Sequence, residues 1–170
     1  RVQAVADSAA NKGYDAVRAD HVADVSALMS RVNLSLGDAA ASDKPTDKLL
    51  EAYNNGTATE PERRLLETML YQYGRYLTIA SSRENSQLPS NLQGVWNNLM
   101  DPPWASDYHM NVNLQMNYWP VYSANLAESA KPLVSYVDGL REPGRVTAKI
   151  YAGIESAEGE ANGFMAHTQN

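Results

Sequence analysis

The segment from Leu88 to Glu128 gathers all three tryptophans, Trp96, Trp104 and Trp119, with Tyr108, Tyr118, Tyr122 and a run of side-chain amides. Flat aromatic faces pack against the apolar C–H face of a pyranose, and neutral amides meet hydroxyls as donors and acceptors with no charge to desolvate. The stretch therefore reads as a surface for holding a sugar. Within it, Asn111 and Asn113 stand two apart. On a helix that spacing turns two side chains about 200° apart, whereas extended backbone puts them on one side. An extended Asn111-Val112-Asn113 segment aims both amides into one pocket; the alternative is that Asn113 simply caps a helix starting at Leu114, since asparagine is a preferred N-cap. An amide does not titrate near neutral pH, so it can orient a water by accepting its hydrogen bond but cannot be the base.

The carboxylates within reach of this segment are Glu84, Asp101, Asp107 and Glu128, none in a setting that signals a raised pKa. Asp107, two residues before His109, reads as a structural carboxylate at a turn. His21, His109 and His167 have no metal-ligand spacing and the chain has no cysteine, so neither a metal nor a cofactor is expected. Trp119, just before Pro120 on a helix, is assigned to core packing. Trp96 and Trp104, beside Gly94 and Pro103 in a loop, are assigned to the pocket, with Asn91 and Gln93 bracing that loop through side-chain to backbone bonds.

The elements that position these residues are mostly helical. Apolar residues from Tyr14 to about Ser30 recur at helical spacing, opened by Gly13. Val32, Leu34 and Leu36 then alternate with polar neighbours, the pattern of a short half-buried strand. After a loop at 38–46, Pro45 to Tyr53 makes a short helix ended by Asn54-Asn55-Gly56. Thr59 and Glu62 form a capping box for a long helix whose face carries Leu65, Leu66, Met69, Leu70, Tyr73 and Leu77. Residues 81–110 hold four of the chain's turn-forming residues, Pro89, Gly94, Pro102 and Pro103, and no sustained period, so they read as a long ordered loop of the functional kind. A helix from Leu114 to Asn125 is expected to bend near Pro120. Leu126, Leu133, Val137 and Leu140 mark another, with Pro132 suited to its first turn and Pro143-Gly144 as its stop, followed by a short one from Arg145 to Ala152 and a small, polar tail from Gly153 to Asn170.

Composition narrows the partners. A net charge of −6 argues against nucleic acid or an anionic membrane surface. No stretch approaches the roughly 20 apolar residues of a membrane span. The chain opens on Arg1 and stops at HTQN with no helix-stop residue, so it is expected to be part of something longer.

The order LPSNLQGVWN, then PPWASDYHMNVNLQMNYWP, then NLAE resembles the barrel segment of glycoside hydrolase family 95, the inverting 1,2-α-L-fucosidases, over roughly Gly13 to Asn170. The resemblance implies an all-α chain, residues 1–170 forming about half of a single (α/α)6 toroid catalytic domain, with one short strand. It implies that Asn111 and Asn113 lie in the active site and position the hydrolytic water and that His109 contacts a sugar hydroxyl, which joins Trp96 and Trp104, read from their loop setting, as the expected substrate-binding residues. Inverting hydrolysis needs a carboxylic acid and a base about 6.5–9.5 Å apart, and the resemblance places both in the remainder of the parent barrel. No role carries over to His167. The implied substrate is an oligosaccharide or glycan bearing terminal Fucα1,2-Gal, met outside the cell or on the surface of a bacterium. Two alternatives stay open: an α-L-galactosidase of the same family, since an apolar pocket rejects an added hydroxyl only modestly, and a non-catalytic glycan-binding or structural helical segment.

Overall fold

A computed structural model describes residues 2–38, 43–155 and 163–169. Among these residues the regular structure is helical, with two isolated antiparallel bridges and no strand ladder. This is the all-α architecture expected of a segment of an (α/α)6 toroid. The expected loop at 38–46 lies partly outside the described residues, as does the middle of the tail from Gly153. The chain divides into two compact units, residues 1–76 and 77–170, with the division inside one long helix.

In the first unit, α1 (Val2–Lys12) and α2 (Tyr14–Met29) are separated by Gly13 at φ 82°, a conformation that glycine adopts without a Cβ clash. No apolar stripe marked α1 in the sequence, and it buries none of its side chains. α3 spans Thr46–Asn54 and α4 spans Glu60–Ser81. One half of the expected box opens α4: the Glu62 carboxylate accepts from the Thr59 N–H at 2.9 Å, and the Thr59 hydroxyl donates to that carboxylate at 3.1 Å. Lys44 Nζ lies 2.7 Å from the same carboxylate. These donors, Lys44 first and the Thr59 backbone next, hold the Glu62 pKa down at about 2.

Arg75 ties α4 to the end of α2. Arg75 is only 3% exposed, and its guanidinium donates to the carbonyls of Leu28 at 2.9 Å and Met29 at 2.8 Å and to Gln72 Oε1 at 2.9 Å. A cation at a helix C-terminus satisfies orphan carbonyls and meets the negative end of the macrodipole. The strand expected at Val32–Leu36 is corrected here. Val32 and Leu34 are half-buried and their neighbours exposed, as the alternation predicts, but no second strand pairs with them among the described residues. The Val32 carbonyl instead accepts from Gln72 at 3.2 Å and Arg75 at 3.3 Å, so the segment is extended chain held by side chains.

The second unit follows the end of α4 with a long loop, then α5 (Asn113–Tyr118), α6 (Pro120–Ser123), a 3₁₀ turn (Ala127–Ala130), α7 (Lys131–Gly139) and α8 (Arg141–Ala152). Leu114, Tyr118 and Val121 bury together with Ala130, flanked by Tyr108, Met110, Leu133 and Tyr136. Their i, i+4, i+7 spacing defines the inward face across the break at Pro120. Trp119 is therefore not core, contrary to expectation. One position turns the helix by about 100°, and Trp119 stands 65% exposed while Tyr118 is buried. Pro143-Gly144 likewise does not stop a helix but lies near the start of α8, which begins at Arg141, four residues before the expected Arg145. Proline is tolerated there because first-turn N–H groups have no intrahelical partner.

Hydroxyls pin the start of the loop to this core. Ser90 Oγ donates to Ser81 Oγ at 2.6 Å, the Ser90 N–H donates to Tyr118 Oη at 2.8 Å, and Ser82 Oγ meets Tyr118 Oη at 2.8 Å while donating to the Ser129 carbonyl at 2.8 Å.

Candidate active site

The loop leaving Ser90 turns at once. Asn91 and Gly94 exchange backbone bonds of 3.0 Å, with Gly94 at φ 67°. A Cβ on Gly94 would lie 2.6 Å from the Trp96 ring, so that ring rests directly on glycine backbone. The bracing expected of the amides is present: Asn91 Oδ1 accepts from the Gln93 N–H at 2.8 Å, and Gln93 Nε2 donates to the Pro103 carbonyl at 3.2 Å.

Beyond Pro103 the backbone is strained. Trp104, Ala105 and Ser106 take φ of 53°, 54° and 52°, three consecutive non-glycine residues in the left-handed region. This costs of order 1–3 kcal/mol per residue and persists only where the surroundings over-determine it. The turn sets the Trp104 ring edge-on to His109, with centroids 5.6 Å apart and planes at 78°. Asp107 Oδ1 meets His109 Nδ1, both side chains being largely buried. Tyr136 closes over the same place: burial first, then Tyr108 and the Asp107 charge, push its phenol pKa up.

His109 hands the chain to α5. Its carbonyl accepts from the Leu114 N–H at 2.8 Å, it bridges to Gln169, and the next N–H, of Met110, donates to Thr168 at 2.7 Å. Between Asn111 and Asn113 the chain is not extended, which corrects the sequence expectation. Val112 has φ 68° and ψ −57°, and the Asn113 N–H donates to the Asn111 carbonyl at 2.9 Å. This is a γ-turn with positive φ, the rarer and more strained form, on a β-branched residue. The helix begins at Asn113, one residue before the expected Leu114, and the capping position falls on Val112, whose side chain has no acceptor. Both asparagines are exposed.

The pattern of the glycosyl hydrolase family 95 catalytic domain matches residues 13–170. The chain belongs to glycosyl hydrolase family 95. It is 38% identical to the probable alpha-fucosidase A of Aspergillus niger, across 99% of this chain and 20% of that protein. It is 37% identical to alpha-L-fucosidase 2 of Arabidopsis thaliana, across 91% of this chain and 17% of that protein. The chain thus spans about a fifth of the length of the curated relatives it matches. Fungal and plant relatives give no support to the bacterial source expected from the sequence.

In this family 95 chain, His109, Asn111 and Asn113 follow one another along the chain into the head of α5, with Trp104 against His109, while Trp96 packs on Gly94, 48% exposed. Among the other carboxylates, Glu84 pairs with Lys131 and Asp101 is exposed. Sequence reasoning passed over the contact between Asp107 and His109, although the two-residue spacing was its signal. It had no signal for the turns at Trp104–Ser106 and Val112, whose positive-φ residues are neither glycine nor asparagine.

Proposed function

We propose that this chain carries the water-positioning part of an inverting exo-α-L-fucosidase acting on terminal Fucα1,2-Gal linkages. The observation that carries the reading is the family 95 match over residues 13–170, with the sequence HMNVN placed at the head of α5. Asn111 and Asn113 accept hydrogen bonds from the attacking water and hold it on the face of the sugar opposite the leaving oxygen. His109 meets a sugar hydroxyl, and Trp96 and Trp104 offer aromatic faces to the ring. The general acid and the base are carboxylates in the rest of the parent barrel, a reading supported by the chain's spanning only 20% of its A. niger relative. The isolated chain is then inactive, since the loss of a general acid or base costs about 10²–10⁴-fold each.

The γ-turn gives the amide pair its reason. It joins the backbones of Asn111 and Asn113 through a 2.9 Å hydrogen bond, in place of the pleat expected from the sequence, and leaves both side chains exposed at the head of α5. Substitution of Asn113 in the full-length enzyme tests the role. Asn113→Ala removes an acceptor used in the transition state, so kcat falls by tenfold or more with KM little changed. Asn113→Asp sets a charge next to the base, whose pKa rises, and activity falls as well. A fully active Asn113→Asp enzyme on 2′-fucosyllactose refutes the water-holding role.

A further inference from the structure

Asp107 has no part in the chemistry proposed above, yet its surroundings are specific. Its side chain is 11% exposed, Oδ1 meets His109 Nδ1, and Oδ2 is buried with no hydrogen-bond partner among the described residues. An aspartate that merely stabilises a turn spends its oxygens on nearby backbone N–H groups. Here the carboxylate is spent on an imidazole.

We propose that Asp107 is a positioning residue that holds the His109 ring by Nδ1 and so presents Nε2 to a sugar hydroxyl. The proposal rests on the reading of His109 as a sugar contact. A carboxylate oxygen accepts, so Nδ1 carries the hydrogen of this contact, and the bond fixes the ring's orientation with Nε2 left for the sugar. Trp104, edge-on to the ring, limits its rotation about the other axis.

The backbone is built to keep this geometry. The Asp107 N–H donates to the Trp104 carbonyl at 3.2 Å, and the Asp107 carbonyl accepts from the Leu92 N–H at 3.2 Å, so the residue is tied to both limbs of the loop. The left-handed run at Trp104–Ser106 immediately precedes it. Strain of that kind gathers where a side chain must be aimed.

A double-substitution cycle in the full-length enzyme tests this, with kcat/KM on 2′-fucosyllactose and a thermal melt for each variant. Asp107→Asn should lose about tenfold to a hundredfold in kcat/KM, the usual effect of removing the partner that orients a functional histidine. In a His109→Gln background the same change should cost less than twofold, because a residue acting through another has nothing left to act on. If Asp107→Asn does not fold, Asp107→Glu, which keeps the acceptor but moves it by one methylene, serves in the same cycle with the same coupling expected. Equal losses in both backgrounds, or an Asp107 variant within twofold of wild type, overturn the proposal. A wild-type enzyme with no turnover overturns the fucosidase reading itself and the proposal with it.

Discussion

Replacing Tyr118 by phenylalanine removes one oxygen from the centre of the second unit, and the structure sets the cost. Ser82 Oγ gives its hydrogen to the Ser129 carbonyl at 2.8 Å, so in its 2.8 Å contact with Tyr118 the phenol is the donor. The phenol oxygen in turn accepts from the Ser90 N–H at 2.8 Å. Phenylalanine keeps the ring against Leu114 and Val121, leaving the apolar packing intact. What is lost is one hydroxyl pair, worth about 0.5–1.5 kcal/mol net, and the partner of a buried backbone N–H, whose orphaning costs about 1–3 kcal/mol. The total is about 1.5–4.5 kcal/mol, or roughly 10- to 2,000-fold in the equilibrium for opening the loop at Ser90. Hydrogen exchange of peptides covering residues 88–100, compared between wild type and Tyr118→Phe in the full-length protein, reads that change directly. Protection within threefold of wild type would refute the claim that this network anchors the loop.

Two further substitutions probe other parts of the account. Because the Glu62 pKa is held at about 2, below its ordinary 4.5, its stabilising contribution is complete above about pH 4.5 and is lost as pH falls towards 2. Glu62→Gln should therefore melt lower than wild type at neutral pH, with the two curves of Tm against pH converging near pH 2; parallel curves would contradict the assignment. Gly94→Ala forces a Cβ to within 2.6 Å of the Trp96 ring and sets a side chain at φ 67°. It should destabilise by about 1–3 kcal/mol, read by thermal melting, and a variant melting with wild type would show that the ring does not rest on Gly94.

What could be read from the sequence was local. α2, α3 and α4 begin where Gly13, Pro45 and the Thr59–Glu62 pair say they should, because capping chemistry is settled within four residues. The bracing of the loop by Asn91 and Gln93 was legible because it too is local, whereas the asparagine that looked like the cap of α5 lies inside it and the capping position falls on Val112. What failed depended on distant partners or on phase. Val32–Leu36 has the alternation of a strand, but a strand needs a second strand, and Gln72 and Arg75 took its carbonyl instead. Tyr118 and Trp119 are adjacent aromatics, and only the packing against Ala130 and Leu133 decides which of them turns inward. The left-handed turn at Trp104 and the γ-turn at Val112 contradict the preferences of their own residues, as strained functional loops do.

The central claim is tested most directly by following the full-length protein on 2′-fucosyllactose by ¹H NMR and observing the anomer that appears first. An inverting enzyme, whose asparagines hold a water on the face opposite the leaving oxygen, releases β-L-fucose before mutarotation supplies the α form. First-formed α-L-fucose, or no hydrolysis at all, would contradict the account.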